Sequence, residues 1–187
     1  MIEKKTYVEK GKGEPIILLH GLFGALSNWN SVISKYSKTH RVIIPKIPLT
    51  EINVEKANLE SLTEYVKKFI NKMKLKKFTL IGNSLGGHIG LIYSILNPKK
   101  VTKLILTGSS GLYENSFGGS FPKRGDYAYI NDRVNHTFYN PDILTKKYID
   151  EIFSTLNDNA KCLNIITIAR SAQRNNLAKK LYKSKET

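Results

Sequence analysis

Cysteine is almost absent: the 187 residues contain only Cys162. A disulfide framework within the chain is therefore excluded, and a reducing compartment is the natural home. The expected location is cytoplasmic. Long hydrophobic runs are missing too. The longest, Ile16 to Leu26, is interrupted by His20, and a bilayer-spanning helix needs roughly 20 apolar residues. Met1-Ile2-Glu3-Lys4-Lys5 leads into polar residues rather than the apolar stretch of a signal peptide. Neither a leader nor a membrane partner is expected. Acidic residues are scarce, 15 against 30 lysines and arginines, and the formal charge is +15. Such an excess can mark a nucleic-acid or anionic-membrane partner. Arginine, however, is rare, and no stacking-aromatic motif accompanies the lysines. Lys67 to Lys77 flank one expected helix and Lys99 to Lys103 another, so they read as solvated faces. No nucleic-acid partner is expected. No internal repeat is visible.

What is present centres on Phe78-Thr79-Leu80-Ile81-Gly82-Asn83-Ser84-Leu85-Gly86-Gly87-His88. An apolar strand is expected over Phe78 to Ile81, turning at Gly82 and opening into a helix at Leu85. Leu85, His88, Ile89, Ile92, Ile95 and Leu96 recur at helical steps and give that helix one buried face. A serine with glycine two residues to either side is what a nucleophile elbow requires, because the turn is too tight for side chains at Gly82 and Gly86. Gly-x-Ser-x-Gly also arises by chance in roughly 5% of chains of this length, so the flanking strand and helix carry much of the weight.

The rest of the chain alternates strand and helix. Thr6 to Lys10 reads as a short strand. Ile16-Ile17-Leu18-Leu19 reads as a strand covered on both faces, and Arg41 to Ile44 as the next. Between them, Ser27 or Asn28 can cap a helix presenting Trp29, Val32, Ile33 and Tyr36. A longer amphipathic helix runs from Leu59 to Met73. After the elbow helix, stopped by Asn97-Pro98, Val101 to Thr107 is a third apolar strand of the buried type. This order predicts an α/β fold, a doubly wound and mostly parallel sheet with helices on both faces. Ligands bind such sheets beyond the carboxyl ends of the strands, where Gly21 and Ser84 both fall. The expected division is a core over residues 1–110, then a helical cap and polar tail over 111–187. Three cap helices are expected: one with Ile130, Val134 and Phe138, one capped by Asn140-Pro141 with Leu144, Tyr148, Ile152 and Leu156, and one capped by Asp158 with Leu163, Ile166 and Ala169.

A serine hydroxyl becomes a nucleophile when a base takes its proton and donors hold the oxyanion. The backbone N–H of Leu85, at the first turn of a helix, is one expected donor. The N–H of Leu22, or failing that Phe23, in the loop after His20-Gly21, is the other.

Leu18-Leu19-His20-Gly21, the Gly82 to His88 motif, and Asn97-Pro98 followed by Val101 to Gly108 together resemble the α/β-hydrolase superfamily. Within it, Gly-Asn-Ser-Leu-Gly-Gly with Thr-Gly-Ser-Ser-Gly-Leu is most similar to cap-bearing esterases and carbon–carbon bond hydrolases. The resemblance implies Ser84 as nucleophile, a small-molecule substrate under a helical cap, and no cofactor or metal. Pro45-Lys46-Ile47-Pro48-Leu49 departs from the Asp and Gly-rich run usual in the family. Family members also continue into two more strands whose loops carry the acid and base, and the chain stops where that segment is expected. His20 is expected to fix the oxyanion loop, His88 to be a packed helix residue, and His40 and His136 to be surface residues. The expectation is therefore a serine hydrolase with an impaired triad; the alternative is a non-catalytic pseudo-hydrolase holding a small ligand. A nucleic-acid binder, resting on net charge, is the weakest reading. The strand Val101 to Thr107, lacking a neighbour, would present an apolar edge prone to self-association.

Overall fold

The computed structural model describes residues 6–24, 29–112 and 123–178. Five strands form one sheet: β1 (Tyr7–Lys10), β2 (Glu14–Leu19), β3 (His40–Pro45), β4 (Phe78–Asn83) and β5 (Val101–Thr107). Their order across the sheet is β1-β3-β2-β4-β5, with β1 antiparallel to β3 and the other neighbours parallel. The α/β architecture with a mostly parallel sheet is thus as expected.

Alternation along the central strands sorts the core into two layers, since successive side chains point to opposite faces. Ile17, Leu19, Ile43 and Leu80 face one way, onto α2 (Leu59–Lys72) and α3 (Leu85–Leu96). Ile16, Leu18, Val42 and Ile44 face the other, onto Trp29 and α1 (Asn30–Tyr36). The Asn58 side chain accepts from Ser61 N at the start of α2, which buries Leu59, Leu62, Val66, Phe69 and Ile70. Full burial of each such side chain contributes about 1.5–3 kcal/mol. Ser27 and Asn28, the expected caps of α1, lie outside the described residues, as does the tail from Lys179 onward.

Three further helices follow β5: α4 (Tyr127–Asn135), α5 (Lys146–Asn157) and α6 (Asn159–Arg174). Three details differ from expectation, the first being that α4 ends at Asn135 and leaves Phe138 in the turn beyond it. Asn140 does cap, accepting from Asp142 N, but it starts only a 3₁₀ turn over Pro141–Ile143. Leu144 then turns extended and Thr145 caps α5 afresh. In α6, capped by Asp158 as expected, Leu163 is 52% exposed and the buried stripe is Cys162, Ile165, Ile168 and Ala172. The reason is its packing: Ile165, Ile168 and Ala172 join the same core layer as α2. Leu59 N donates to Ser171 Oγ and Asn164 Nδ2 to Ile52 O, which fixes the helix's rotation.

The strand β5 pairs only with β4 among the described residues, and its apolar composition does not bury it: Ile105 is 45% exposed. No described helix is long and apolar enough to cross a membrane.

Candidate functional site

The strand β4 runs on through Gly82 and Asn83, so the chain reverses at Ser84, not at Gly82. Ser84 has φ 51° and ψ −120°, a conformation that costs a non-glycine residue about 1–3 kcal/mol. The surroundings hold it there. Ser84 N donates to Thr107 O at 3.1 Å, and Ser84 O accepts from Gly87 N, His88 N and Ser110 N. Asn83 Nδ2 donates to Thr107 O and Oγ1, pinning the end of β4 to β5. The motif glycines are required by close approach. A Cβ on Gly82 would sit 2.5 Å from Gly86 O and from Gly87 Cα, while one on Gly86 would strike the carbonyl of Leu19. It is the end of β2, not the serine turn itself, that demands Gly86.

The end of β2 brings the His20-Gly21 loop against the turn: a Cβ on Gly21 would lie 3.1 Å from Ser84 Cβ. His20 is buried, and both its ring nitrogens are engaged. Its Nδ1–H donates to Gly21 O at 3.0 Å, and its Nε2 accepts from Ile47 N at 3.1 Å. These partners fix the neutral tautomer. Burial holds the imidazole below its ordinary pKa; the bond to Gly21 opposes that shift and nearby Lys46 adds to it. Pro45 to Leu49 thus serves the loop through one backbone N–H, a role that its unusual sequence hides.

Above Ser84 lies a cavity of about 590 Å³. Gly21, Leu22, Phe23, Asn83 and Ser84 line it from the sheet side, Trp29 from the start of α1, Val134, Tyr148 and Ile152 from the later helices, and Phe138 from the turn after α4. Tyr148 Oη donates to Phe23 O at 3.0 Å, clamping the loop from α5. Neither this clamp nor the Asn83–Thr107 bond has a signature in the sequence, although Asn83 sits inside the motif. Leu85 is the first residue of α3 and is buried, and the first N–H groups of a helix lack acceptors within it. Leu22 N and Leu85 N therefore belong to the two segments that meet at Ser84.

Among the described residues lining the cavity, His20 is the one histidine and no carboxylate appears. His88 is fully buried, donating from Nε2 to Asn175 O at 2.8 Å while Ser110 Oγ approaches Nδ1 at 3.4 Å. His136 is exposed and its Nδ1 bonds Asp132 O; His40 is half-buried and bonds Thr39 Oγ1. Asp126 and Asp158 cap helices, and Asp150 accepts from Tyr127 and Lys146. No group of three or more His, Cys, Asp or Glu is placed to hold a metal ion among the described residues.

Comparison with known proteins agrees with this fold. The 2-hydroxy-6-oxo-6-(2'-aminophenyl)hexa-2,4-dienoic acid hydrolase of Metapseudomonas resinovorans is 38% identical over 114 residues, 57% of this chain and 39% of that protein. The 2-hydroxymuconate semialdehyde hydrolase of Pseudomonas sp. strain CF600 is 27% identical over 154 residues, 78% of this chain and 50% of that one. The crystal structure of MGS-MChE2, an alpha/beta hydrolase enzyme from the metagenome of lagoon sediments at Mar Chica, Morocco, superposes with a TM-score of 0.72 at 35% identity. That superposition covers 94% of this chain and 65% of that structure. The chain thus spans half or less of the length of these two curated relatives. The family model for the alpha/beta hydrolase fold matches residues 14–140, from the first residue of β2 to Asn140. That span takes in both segments that meet at Ser84, and on it the chain belongs to the alpha/beta hydrolase fold family.

Proposed function

We propose that this chain carries the nucleophile and oxyanion-hole part of a serine hydrolase acting on a small ester, thioester or carbon–carbon substrate. The observation that carries the reading is Ser84, held at φ 51° on the cavity floor beside the Gly21-Leu22 loop. In the reaction Ser84 Oγ forms a bond to the substrate carbonyl carbon as a base takes its proton, and the carbonyl π pair moves to oxygen. The N–H groups of Leu22 and Leu85 receive that oxyanion; losing one such donor costs about 3–4 kcal/mol of barrier. Collapse expels the leaving group, which takes up the proton, and water then releases the acyl group from Ser84. The helices α4 and α5 act as the cap. Two relatives are named as hydrolases of a hexadienoic acid and of a semialdehyde, which supports a small carbonyl substrate.

The base is the weak point of these 187 residues. Both His20 nitrogens hold the loop, so using it would break a bond to Gly21 or Ile47. The chain on its own should turn over slowly, near the residual rate of about 10³–10⁴ over water that hydrolases without their triad retain. A p-nitrophenyl ester assay tests this. Slow turnover little changed by Ser84→Ala is expected, because the oxyanion hole and binding supply the residual rate; rates typical of intact hydrolases, abolished by Ser84→Ala, would show a working base. The same commitment of His20 to the loop supports a second reading, a pseudo-hydrolase that binds without chemistry. Thermal-shift stabilisation by a non-reacting carbonyl ligand, with no turnover in either form, would favour it.

A further inference from the structure

The fold gathers charge that is scattered in the sequence. The parallel strands β3, β2, β4 and β5 are neighbours in that order, so the loops entering them share one end of the molecule. Glu14 is opposite His40, Ile16 opposite Thr79, and Phe78 opposite Val101, which aligns those entrances. Lys10 ends β1 and Lys12 lies in the turn before β2, while the turn before β3 brings Lys38. Residues 72–77 bring four lysines to β4, and Lys99 and Lys100 precede β5. The rim thus holds nine lysines against one acid, Glu14, in a chain whose net charge is +15.

None of these nine lysines is in an ion pair among the described residues, whose pairs all lie elsewhere. All but Lys100 are exposed, and Lys100 Nζ donates to the neutral Asn71 Oδ1 at 2.8 Å. Lys74 even occupies the left-handed position that ends α2, φ 54°, where glycine is the usual choice. The rim loops contain no arginine fork for base edges, and the exposed aromatic beside them, Tyr36, packs edge-on against His40 at 6.0 Å instead of standing free as a stacking platform. They do adjoin apolar surface: at the end of α3, Ile95 is 41% and Leu96 65% exposed, immediately before Asn97-Pro98-Lys99-Lys100. A basic cluster with apolar side chains at its edge is the composition of a surface that adsorbs to anionic lipid.

We propose that this end of the sheet docks on an anionic lipid bilayer. The ammonium groups meet headgroup phosphates, and Leu96 enters the acyl boundary. A six-residue strand is about 20 Å long, so Ser84, at the other end of β4, faces away from the lipid with its cavity open to solvent.

Co-sedimentation of the full chain with phosphatidylcholine vesicles, with and without phosphatidylglycerol, tests this. Partition into the anionic vesicles at about 0.1 M salt, lost at about 0.5 M, is expected. The triple variant Lys74→Glu/Lys76→Glu/Lys99→Glu should bind about tenfold or more weakly. The variant Lys123→Glu/Lys146→Glu/Lys147→Glu, with the same change in net charge away from the rim, should lose less than about threefold. Leu96→Ser should weaken binding about threefold. Absence of partition, equal losses in the two triple variants, or an unaffected Leu96→Ser overturns the proposal. Rim-dependent binding to random-sequence duplex DNA that is tighter than to the vesicles overturns it in favour of a nucleic acid.

Discussion

His20 ties its loop down only in the neutral form, because Nε2 must keep a lone pair for Ile47 N. Burial, aided by Lys46, holds its folded pKa below the ordinary value of 6.5. The sign of the stability effect follows. Above the unfolded pKa neither state binds the proton, so His20 contributes no slope. Below it the unfolded chain takes up a proton that the folded chain resists, and stability falls until the folded pKa is reached. The slope has a ceiling of about 1.4 kcal/mol per pH unit. Asp150 and Asp158, whose folded pKa values are lowered, lose their contributions only as pH drops below the ordinary 3.8, outside this window. Thermal melts of the parent from about pH 7.5 to 5.5 should fall, whereas those of His20→Asn should be flatter. Parallel curves would refute the assignment. The role of His20 is legible in the sequence through the resemblance, which places Leu18-Leu19-His20-Gly21 in the oxyanion loop. Its second partner is not, since Ile47 lies 27 residues away along a loop with no regular pattern.

At the scale of elements, the elbow is readable because its geometry admits few residue types. Gly82 and Gly86 face backbone at distances no Cβ tolerates. The face of α6 is not readable for the opposite reason. Leu163, Ile166 and Ala169 make one apolar stripe at helical spacing, and Ile165, Ile168 and Ala172 make another. Periodicity cannot choose between them; the bonds from Leu59 to Ser171 and from Asn164 to Ile52 do. The strand β5 is a similar case, because apolar composition predicts burial only where a neighbour supplies it. On the face of Ile105 the described cover is α1, a helix of seven residues on β3 and β2, and β5 lies two strands beyond β2. We propose that this apolar edge drives self-association. Ile105→Lys places a charge on it, a device by which exposed edges resist pairing. Light scattering should then show association beginning at about tenfold higher concentration than in the parent. Identical onset would remove β5 from the contact.

For the molecule as a whole, the consequence of the topology least visible in the sequence is electrostatic. Lys38 and Lys99 are far apart along the chain, yet parallel pairing sets their loops on one rim, whose four strand entrances span about 15 Å at normal strand spacing. Repulsion over that distance opposes the compact state and is relieved on unfolding. The five lysine or arginine ion pairs among the described residues act the other way, with N···O distances of 2.7–3.1 Å. Salt distinguishes the two. The Debye length shrinks from about 30 Å at 0.01 M to about 10 Å at 0.1 M, which quenches repulsion across the rim while leaving contact pairs largely intact. Each exposed pair is worth about 1 kcal/mol at most, so its partial screening cannot dominate. Added sodium chloride over that range should therefore raise the melting temperature, by about 2–4 °C for each kcal/mol of repulsion removed in a chain of this size. The Lys74→Glu/Lys76→Glu/Lys99→Glu variant, with the rim partly neutralised, should respond less. A melting temperature that falls with salt in the parent would mean that the ion pairs, and not the rim, govern the charge balance of the fold.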